Sequence, residues 1–210
     1  MFVTFEGSDG TGKTTQVNLL SNYLEQLGYA VVLTREPGGT QIGEQIRQVL
    51  SDFRNADMQK RTEILLFQAS RAQLVEQVIR PQLEQGSLVL CDRYGDSTLA
   101  YQGYGYQSFD LEKLRGLVDF ATGGLKPAIT FLFDMDVDKG LQRRAQDGQI
   151  NRLDKLDREI YQRVRKGYLE MAAAEPGRLV IIDANRPVDV VQEEIRAVLV
   201  KRLKGMTQGH

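Results

Sequence analysis

The chain's most chemically informative stretch is a run of glycines with a lysine and threonines near its start. Residues 7–14 read Gly-Ser-Asp-Gly-Thr-Gly-Lys-Thr and fit the pattern G-x-x-x-x-G-K-[ST] without a mismatch. Glycines let backbone N–H groups turn inward around phosphates, and the N-terminus of a following helix adds its positive dipole. The pattern therefore predicts a nucleoside triphosphate site with Mg²⁺, formed by Gly7, Ser8, Asp9, Gly10, Thr11, Gly12, Lys13, Thr14 and Thr15.

Within this loop, Lys13 has the charge and length to contact the β- and γ-phosphates, and the Thr14 hydroxyl suits Mg²⁺. A second metal ligand is indicated by Asp92, which directly follows the apolar run Leu-Val-Leu-Cys at 88–91. An apolar strand ending in Asp resembles the second element of P-loop proteins, whose carboxylate reaches Mg²⁺ directly or through water.

Three classes of protein remain open on these residues: a nucleotide switch, a motor-type ATPase and a small-molecule kinase. The chain has no Asn-Lys-x-Asp string, which a guanine-specific switch would carry. Its 210 residues are few for a motor and show no second globular module. The length and the polar stretch described below favour a small kinase that closes over its substrates.

Short apolar runs alternate with longer helical patterns along the chain. The runs predict five strands, at 2–5, 30–33, 88–91, 129–133 and 179–182. Between them, apolar residues recur at spacings of three and four, including a long pattern from about 61 towards 81. This alternation predicts an α/β fold, a three-layer α/β/α sandwich with a five-stranded parallel sheet covered by helices. Ligands are then expected at the carboxyl ends of the strands.

No shift in composition marks a domain boundary, so residues 1–210 are expected to form a single domain. The stretch 146–157 is the most polar of the chain and is expected to be an exposed, mobile lid. The tail, 204–210, is expected to be frayed.

Composition excludes several chemistries. The chain has 27 Lys and Arg against 28 Asp and Glu, a balance that argues against nucleic-acid binding. Cys91 is its one cysteine and His210 its one histidine, so cysteine-based zinc sites and His-dependent nucleophiles are excluded. No apolar run reaches the length of about 18 residues that a membrane span needs. A cytoplasmic protein without a membrane partner is expected.

Five motifs, in order and at matching spacings, resemble those of the bacterial-type thymidylate kinases, which are P-loop nucleoside monophosphate kinases. They are Phe5-Glu6-Gly7 before the loop, Thr34-Arg35-Glu36-Pro37-Gly38-Gly39-Thr40, Leu65-Leu66-Phe67-x-Ala69-x-Arg71-Ala72, Asp92-Arg93-Tyr94-x-x-Ser97-x-x-Ala100-Tyr101-Gln102-Gly103, and Asn151-Arg152-Leu153-Asp154. The resemblance spans nearly the whole chain. It implies transfer of the γ-phosphoryl group of ATP to dTMP with Mg²⁺, giving dTDP and ADP, and a homodimer.

The phosphate of such an acceptor needs cations. Arg93 follows the predicted metal ligand and is therefore expected at the reaction centre. Arg35, at the end of the second strand, and Arg47, on the next helix, are further candidates for the acceptor phosphate. For Arg47, an exposed helix charge is an equally good interpretation.

The base needs a flat apolar surface and polar groups at its edge. Phe67 and Arg71 lie four apart and share a helix face. From the residues alone, a core Phe beside a surface Arg is the better interpretation. The resemblance implies instead that Phe67 stacks on thymine and that Arg71 donates to its O4. Ser97, Thr98 and Gln102 are candidates for the other base-edge contacts, and a cis Glu36–Pro37 bond is suggested as part of the pocket wall.

The sugar contacts also come from the resemblance. It implies that Asp9 accepts a hydrogen bond from the 3′-hydroxyl, with water-mediated contact to Mg²⁺. It implies as well that Tyr101 packs where a ribose 2′-hydroxyl would project. Ordinary packing within a Tyr-rich segment is the alternative for Tyr101.

Catalysis is expected to come from positioning and charge. The second ionisation of a phosphate monoester lies near pH ~6, so the attacking oxygen is already an anion and no general base is needed. The loop carries no arginine, and family members without one take it from the lid. Arg152 is the predicted catalytic arginine beside Lys13 and Arg93, with Arg143 and Arg144 as alternatives.

Two competing interpretations stay open. One is a related kinase that acts on another nucleotide or deoxynucleoside, such as dUMP. The other is a binding protein that uses ATP as a conformational signal and hydrolyses it slowly without an acceptor.

Overall fold

The computed structural model describes residues 1–146, 151–154 and 156–207. Five parallel strands form one sheet in the order β2-β3-β1-β4-β5. The strands are β1 Phe2–Glu6, β2 Val31–Arg35, β3 Leu88–Asp92, β4 Ile129–Asp134 and β5 Leu179–Asp183. The helices are α1 Lys13–Gln26, α2 Gln41–Ser51, α3 Lys60–Leu74, α4 Arg80–Glu84, α5 Gly95–Thr98, α6 Leu111–Thr122, α7 Val137–Gln146, α8 Arg158–Ala174 and α9 Val188–Thr207.

Both faces of the sheet are covered by helices, because each central strand is apolar on both sides. On one face, Val3 and Phe5 of β1 pack against apolar residues of α1 and α9. On the other face, Phe2 packs with Val75 at the end of α3, and Leu132 packs with Tyr168 of α8. The predicted three-layer α/β/α sandwich with five parallel strands is confirmed.

Two helices contain π-helical turns. One lies at Val75–Ile79, between α3 and α4, and the other at Leu99–Gly105, after α5. The first precedes Pro81, which has no backbone N–H and crowds the carbonyl four residues earlier. The π turn accommodates this proline, so the helix continues to Glu84 instead of ending near 81 as predicted.

At the chain's end, α9 continues to Thr207, into the predicted tail 204–210. The last three predicted tail residues, 208–210, lie outside the described part. Of the predicted lid, 147–150 and 155 also lie outside it, while α7 extends to Gln146 and Arg152–Asp154 form a 3₁₀ turn.

Candidate active site

The glycine-rich loop connects β1 to α1, which is the strand–loop–helix context that the motif requires. Gly7 has φ 134° and Gly10 has φ 76°, conformations that L side chains rarely adopt. A Cβ on Gly10 would lie 2.0 Å from the carbonyl oxygen of Gly140 and 3.1 Å from the backbone nitrogen of Arg144. The loop is therefore packed directly against α7, and glycine is required at position 10.

Lys13 lies inside the loop with 6% of its surface exposed. Its Nζ donates to the carbonyl oxygens of Gly7 at 3.1 Å and Ser8 at 2.8 Å. Burial lowers the pKa of Lys13 to about 8, and the charge of Arg93 lowers it as well. A polyphosphate bound in the loop would place negative charge beside this buried ammonium and so stabilise its protonated form.

Two of the predicted metal ligands, Thr14 at the start of α1 and Asp92 at the end of β3, are in contact. The Thr14 hydroxyl donates to Asp92 Oδ2 at 2.7 Å. One hydroxyl and one carboxylate fit Mg²⁺, which takes few protein ligands and completes its shell with water and phosphate oxygens. Within the described residues, no cluster of three or more His, Cys, Asp or Glu side chains forms a separate metal site.

Arg93 follows Asp92 and has φ 72°, a strained conformation for a residue other than glycine. Its Nη2 donates to Asp9 Oδ1 at 2.8 Å and to Tyr101 Oη at 3.3 Å, and its Nη1 donates to Ser97 Oγ at 3.1 Å. Although burial raises the pKa of Asp9, the nearby charges of Arg93 and Lys13 lower it to about 2. Asp9 is thus ionised and directly paired with Arg93.

Glu6, the last residue of β1, contacts the segment that follows β3. Sequence reasoning missed it as a site residue. It is fully buried and accepts hydrogen bonds from the Tyr94 backbone N–H at 2.7 Å, Ser97 Oγ at 2.6 Å and Tyr168 Oη at 2.7 Å. Burial and the nearby charge of Asp96 raise the pKa of Glu6 to about 7. The available signal was a carboxylate at the end of an apolar strand, the same signal that identified Asp92.

Two cavities meet at this edge of the sheet. The P-loop cavity is bordered by Lys13, Thr14 and Asp92. The second, called the neighbouring cavity, is bordered by Phe67, Thr98 and Tyr101. Their shared wall consists of Asp9, Glu36, Arg47, Arg93 and Arg144. Ligands in the two cavities would therefore face each other across three arginines.

The neighbouring cavity gathers all but one of the residues predicted for an acceptor nucleotide. It is lined by Asp9, Glu36, Pro37, Arg47, Phe67, Arg71, Arg93, Ser97, Thr98, Tyr101 and Gln102. Arg35 is the exception, since it borders the P-loop cavity and pairs with Glu44 at 3.1 Å. The interpretation of Arg47 as an exposed charge is wrong, because it is half-buried and donates to the Pro37 carbonyl at 3.1 Å.

Arg71 is 1% exposed, so its interpretation as a surface residue is wrong. Its Nε donates to Glu36 Oε2 at 2.8 Å, its Nη1 to Gln68 Oε1 at 2.7 Å and to Thr98 Oγ1 at 3.0 Å, and its Nη2 to the Tyr94 carbonyl at 2.9 Å. Every guanidinium nitrogen thus already has a protein acceptor. These bonds use four of the five guanidinium N–H groups, and Nη2 also forms an ion pair with Glu36 Oε2 at 2.6 Å.

Glu36 contributes one further polar atom to the cavity wall. Its Oε1 is buried and has no hydrogen-bond partner within the described residues, whereas Oε2 takes the bonds from Arg71. A buried acceptor without a partner is costly, so a ligand donor or a water molecule would stabilise it. The Glu36–Pro37 peptide bond is cis, as the sequence suggested.

Tyr101 combines the two interpretations that the sequence left open. Its ring packs edge-on against Tyr161 and Tyr168, with centroids 6.4 Å apart in both pairs. Its hydroxyl also donates to Asp9 Oδ2 at 3.2 Å, and it borders the neighbouring cavity. Packing therefore holds the Tyr101 ring in place, and its hydroxyl contacts Asp9, the carboxylate predicted to bind the sugar.

Arg152 does not border either cavity in this structure. Its Nε donates to the Leu50 carbonyl at 2.7 Å and its Nη2 to Glu63 Oε2 at 2.8 Å. Arg143 borders the P-loop cavity and Arg144 borders both. Of the three candidate arginines, Arg144 is thus the one that borders both cavities, because α7 packs against the loop, and the catalytic role of Arg152 stays a prediction.

Glu63 is a second residue that sequence reasoning missed. It is buried in the wall of the neighbouring cavity and accepts hydrogen bonds from Gln102 at 3.2 Å, Tyr106 at 2.7 Å and Arg152. It thereby links α3, the second π turn and the 151–154 turn. Nothing in its sequence neighbourhood distinguishes it from a surface helix carboxylate.

Comparison with known proteins gives consistent matches. A family model described as thymidylate kinase matches residues 5–195. The thymidylate kinase of an Exiguobacterium species is 47% identical over 204 residues, covering 97% of this chain and 96% of that protein. The thymidylate kinase of Deinococcus radiodurans is 48% identical over 202 residues, covering 96% of this chain and 97% of that protein. The crystal structure of thymidylate kinase from Ehrlichia chaffeensis matches with a TM-score of 0.78 and 39% identity, covering 95% of this chain and 97% of that one.

Proposed function

Because this chain belongs to the thymidylate kinase family and transfers the γ-phosphoryl group of ATP to dTMP, we propose that its two cavities hold these two nucleotides face to face. ATP occupies the P-loop cavity and dTMP the neighbouring cavity. The observation that supports this is the shared wall of Asp9, Glu36, Arg47, Arg93 and Arg144. It places positive charge where the donor and acceptor phosphates would meet.

The dTMP phosphate is the nucleophile, and most of it is doubly ionised at neutral pH since its second pKa is near ~6. The protein must therefore hold two anions together and neutralise the charge that develops between them. Lys13 contacts the β- and γ-phosphates from inside the loop, while Arg93 and Arg47 orient the acceptor phosphate. Asp9 keeps Arg93 in place and accepts a hydrogen bond from the 3′-hydroxyl of dTMP.

Mg²⁺ would be held by the Thr14 hydroxyl and the Asp92 carboxylate, which already lie 2.7 Å apart. Asp9 would contact it through water. When bound there, the ion would supply further positive charge to neutralise the phosphates.

We place the reaction in the cytoplasm. No helix of the described residues is long and apolar enough to cross a membrane. Cys91 is a free, buried thiol, and the chain has no second cysteine with which to form an intrachain disulfide.

Coupled ADP release with a panel of acceptors tests the function. With ATP and Mg²⁺ present, dTMP is expected to give turnover well above dUMP, dCMP and dGMP. The ribose counterpart of dTMP is expected to react at least tenfold more slowly, because Tyr101 and its bond to Asp9 fill the space of a 2′-hydroxyl. Slow release that is indifferent to every acceptor would indicate the ATP-dependent binding protein instead.

A homodimer is proposed from an exposed apolar patch on three adjacent helices. It contains Val49 on α2, Leu65 on α3 and Phe120 on α6, which is 85% exposed. α2 packs on α3 and α3 on α6, so these side chains lie on helices that adjoin one another. Monomers rarely leave large apolar patches exposed, whereas symmetric dimers bury them.

Leu65→Glu is expected to convert the dimer to a monomer, because it puts a charge on the middle helix of the proposed interface. Light scattering coupled to size exclusion should then give the mass of one chain. Val190→Glu, the same kind of change on an exposed residue of α9, is the control and should remain dimeric. A wild-type protein that elutes as a monomer at all concentrations would reject the patch as an interface.

A further inference from the structure

Glu6 is a buried carboxylate of β1 that borders neither cavity, yet it contacts the segment that carries Arg93. The Arg93 N–H donates to the Phe5 carbonyl at 2.9 Å, and the next N–H, that of Tyr94, donates to Glu6 Oε1 at 2.7 Å. β1 thus holds the backbone N–H groups on both sides of the Arg93 α-carbon. The φ of 72° at Arg93 is strained, and such strain persists only where the surrounding structure fixes it. Glu6 supplies part of that restraint.

Ser97 connects the same carboxylate to the guanidinium of Arg93. Its Oγ lies 2.6 Å from Glu6 Oε2 and 3.1 Å from Arg93 Nη1. Above its pKa of about 7, the Glu6 carboxylate only accepts hydrogen bonds, whereas a guanidinium only donates them. The Ser97 hydroxyl between them therefore has one orientation, with its hydrogen toward Glu6 and a lone pair toward Arg93. Tyr168 adds a second hydroxyl, which donates to Glu6 Oε2 at 2.7 Å.

The other terminal nitrogen of this guanidinium is held by the glycine-rich loop. Arg93 Nη2 donates to Asp9 Oδ1 at 2.8 Å. Two carboxylates thus fix the Arg93 side chain, Asp9 by direct contact and Glu6 through Ser97. Because an arginine side chain has many rotamers, release of one terminal nitrogen would let the guanidinium leave this orientation in the wall between the two cavities.

We propose that Glu6 is a positioning residue for Arg93, and that its carboxylate fixes both the strained backbone and the guanidinium of Arg93 where the donor and acceptor phosphates meet. The inference rests on the proposed function, in which Arg93 orients the acceptor phosphate. Glu6 touches neither nucleotide and acts through Arg93. Because a displacement of about 1 Å can lower a rate by about 100-fold, loss of this restraint is expected to lower kcat.

Glu6→Gln tests the proposal with little change in shape. The Tyr94 N–H and the Ser97 hydroxyl donate to different oxygens of Glu6, and an amide has an acceptor at only one of these two positions. One of the two restraints on Arg93 is therefore lost. In coupled ADP release with both substrates varied, we expect kcat to fall by about 10- to 100-fold while KM for ATP stays within about twofold of wild type.

Asp96→Asn is the matched control. It neutralises another buried carboxylate of the same segment, one that pairs with Arg178 at 2.6 Å. Loss of this ion pair should lower the melting temperature, but the folded variant should keep wild-type kcat. The control thus separates destabilisation of the segment from displacement of Arg93.

A double variant tests whether Glu6 acts through Arg93. Adding Glu6→Gln to Arg93→Ala should lower kcat/KM for dTMP no further, because the group that Glu6 positions is already absent. A purely structural role of Glu6 would lower the activity of the double variant below that of Arg93→Ala, and that result would overturn the proposal. Wild-type kcat in Glu6→Gln would overturn it as well.

Ser97→Ala supplies a second arm if Glu6→Gln fails to fold. It removes the hydroxyl between Glu6 and Arg93 and leaves the backbone contact of Tyr94 in place. We expect kcat to fall by about threefold or more, and no further fall when Ser97→Ala is added to Arg93→Ala. An unchanged kcat in Ser97→Ala would overturn the proposal.

These outcomes are distinct from a failure of the proposed function. In that case the wild-type protein would release no ADP in response to dTMP, or Arg93→Ala would keep wild-type kcat. Strong wild-type turnover, a large loss in Arg93→Ala and wild-type kcat in Glu6→Gln would leave the function standing and reject the role of Glu6.

Discussion

Lys13→Ala is expected to lower kcat by about 10³-fold or more while the protein stays folded. The Lys13 ammonium is the buried cation of the loop, and its bonds to the Gly7 and Ser8 carbonyls keep it among the groups that bind phosphate. No other basic side chain lies within residues 7–15, so nothing in the loop can replace its charge. Coupled ADP release at saturating ATP and dTMP measures the loss.

The fold should survive because the Lys13 ammonium bonds only to loop atoms and the apolar core is untouched. The melting temperature is therefore expected to change by a few degrees at most. Lys166→Ala, a lysine on α8 with an exposed side chain, is the control and should keep wild-type kcat. Turnover retained by Lys13→Ala would remove the assignment of this loop to the reacting phosphates.

The parts of the site that could be predicted are those that local sequence determines. The loop at 7–14 is recognisable because one short segment supplies all of its phosphate ligands and lies between a strand and a helix. Asp92 is recognisable because the end of a parallel strand has a fixed place at the ligand-binding edge. The five strands follow from continuous apolar runs, which only a covered parallel sheet buries on both sides.

The parts that could not be predicted depend on contacts between distant segments. Arg71 contacts Glu36, 35 residues away, and Glu6 contacts Tyr168, 162 residues away. No periodicity or motif encodes such pairs, because each residue alone resembles an ordinary helix or strand position. The position of Arg152 could not be predicted for the same reason, since the sequence does not indicate which part of 146–157 approaches the loop.

The second large effect is expected from removing the arginine that stabilises the transferring phosphoryl group. We infer that it is Arg144, because Arg144 borders both cavities and its backbone lies against Gly10. Its charge also reaches the acceptor side: burial lowers the pKa of Arg47, and the charges of Arg35 and Arg144 lower it further. Arg143 borders only the P-loop cavity, and its Nη1 donates to the Ala184 carbonyl at 3.5 Å.

Arg144→Ala is therefore expected to lower kcat by about 10³-fold, with little change in KM for dTMP, since a transition-state contact adds little to ground-state binding. Arg152→Ala should behave differently. Because Arg152 holds Glu63 and the Leu50 carbonyl beside the neighbouring cavity, its loss should raise KM for dTMP and leave kcat within about tenfold of wild type. Arg143→Ala should mainly raise KM for ATP.

Steady-state kinetics of the three variants, with both substrates varied, separates these roles. Arg144→Lys serves as the conservative control. It should recover part of the lost kcat, because lysine restores the positive charge but not the planar, bidentate guanidinium. The opposite pattern, a 10³-fold loss in Arg152→Ala and none in Arg144→Ala, would contradict the assignment. Arg152 would then have to leave Glu63 and approach the loop during turnover, and the bond at 2.8 Å would belong to a resting conformation.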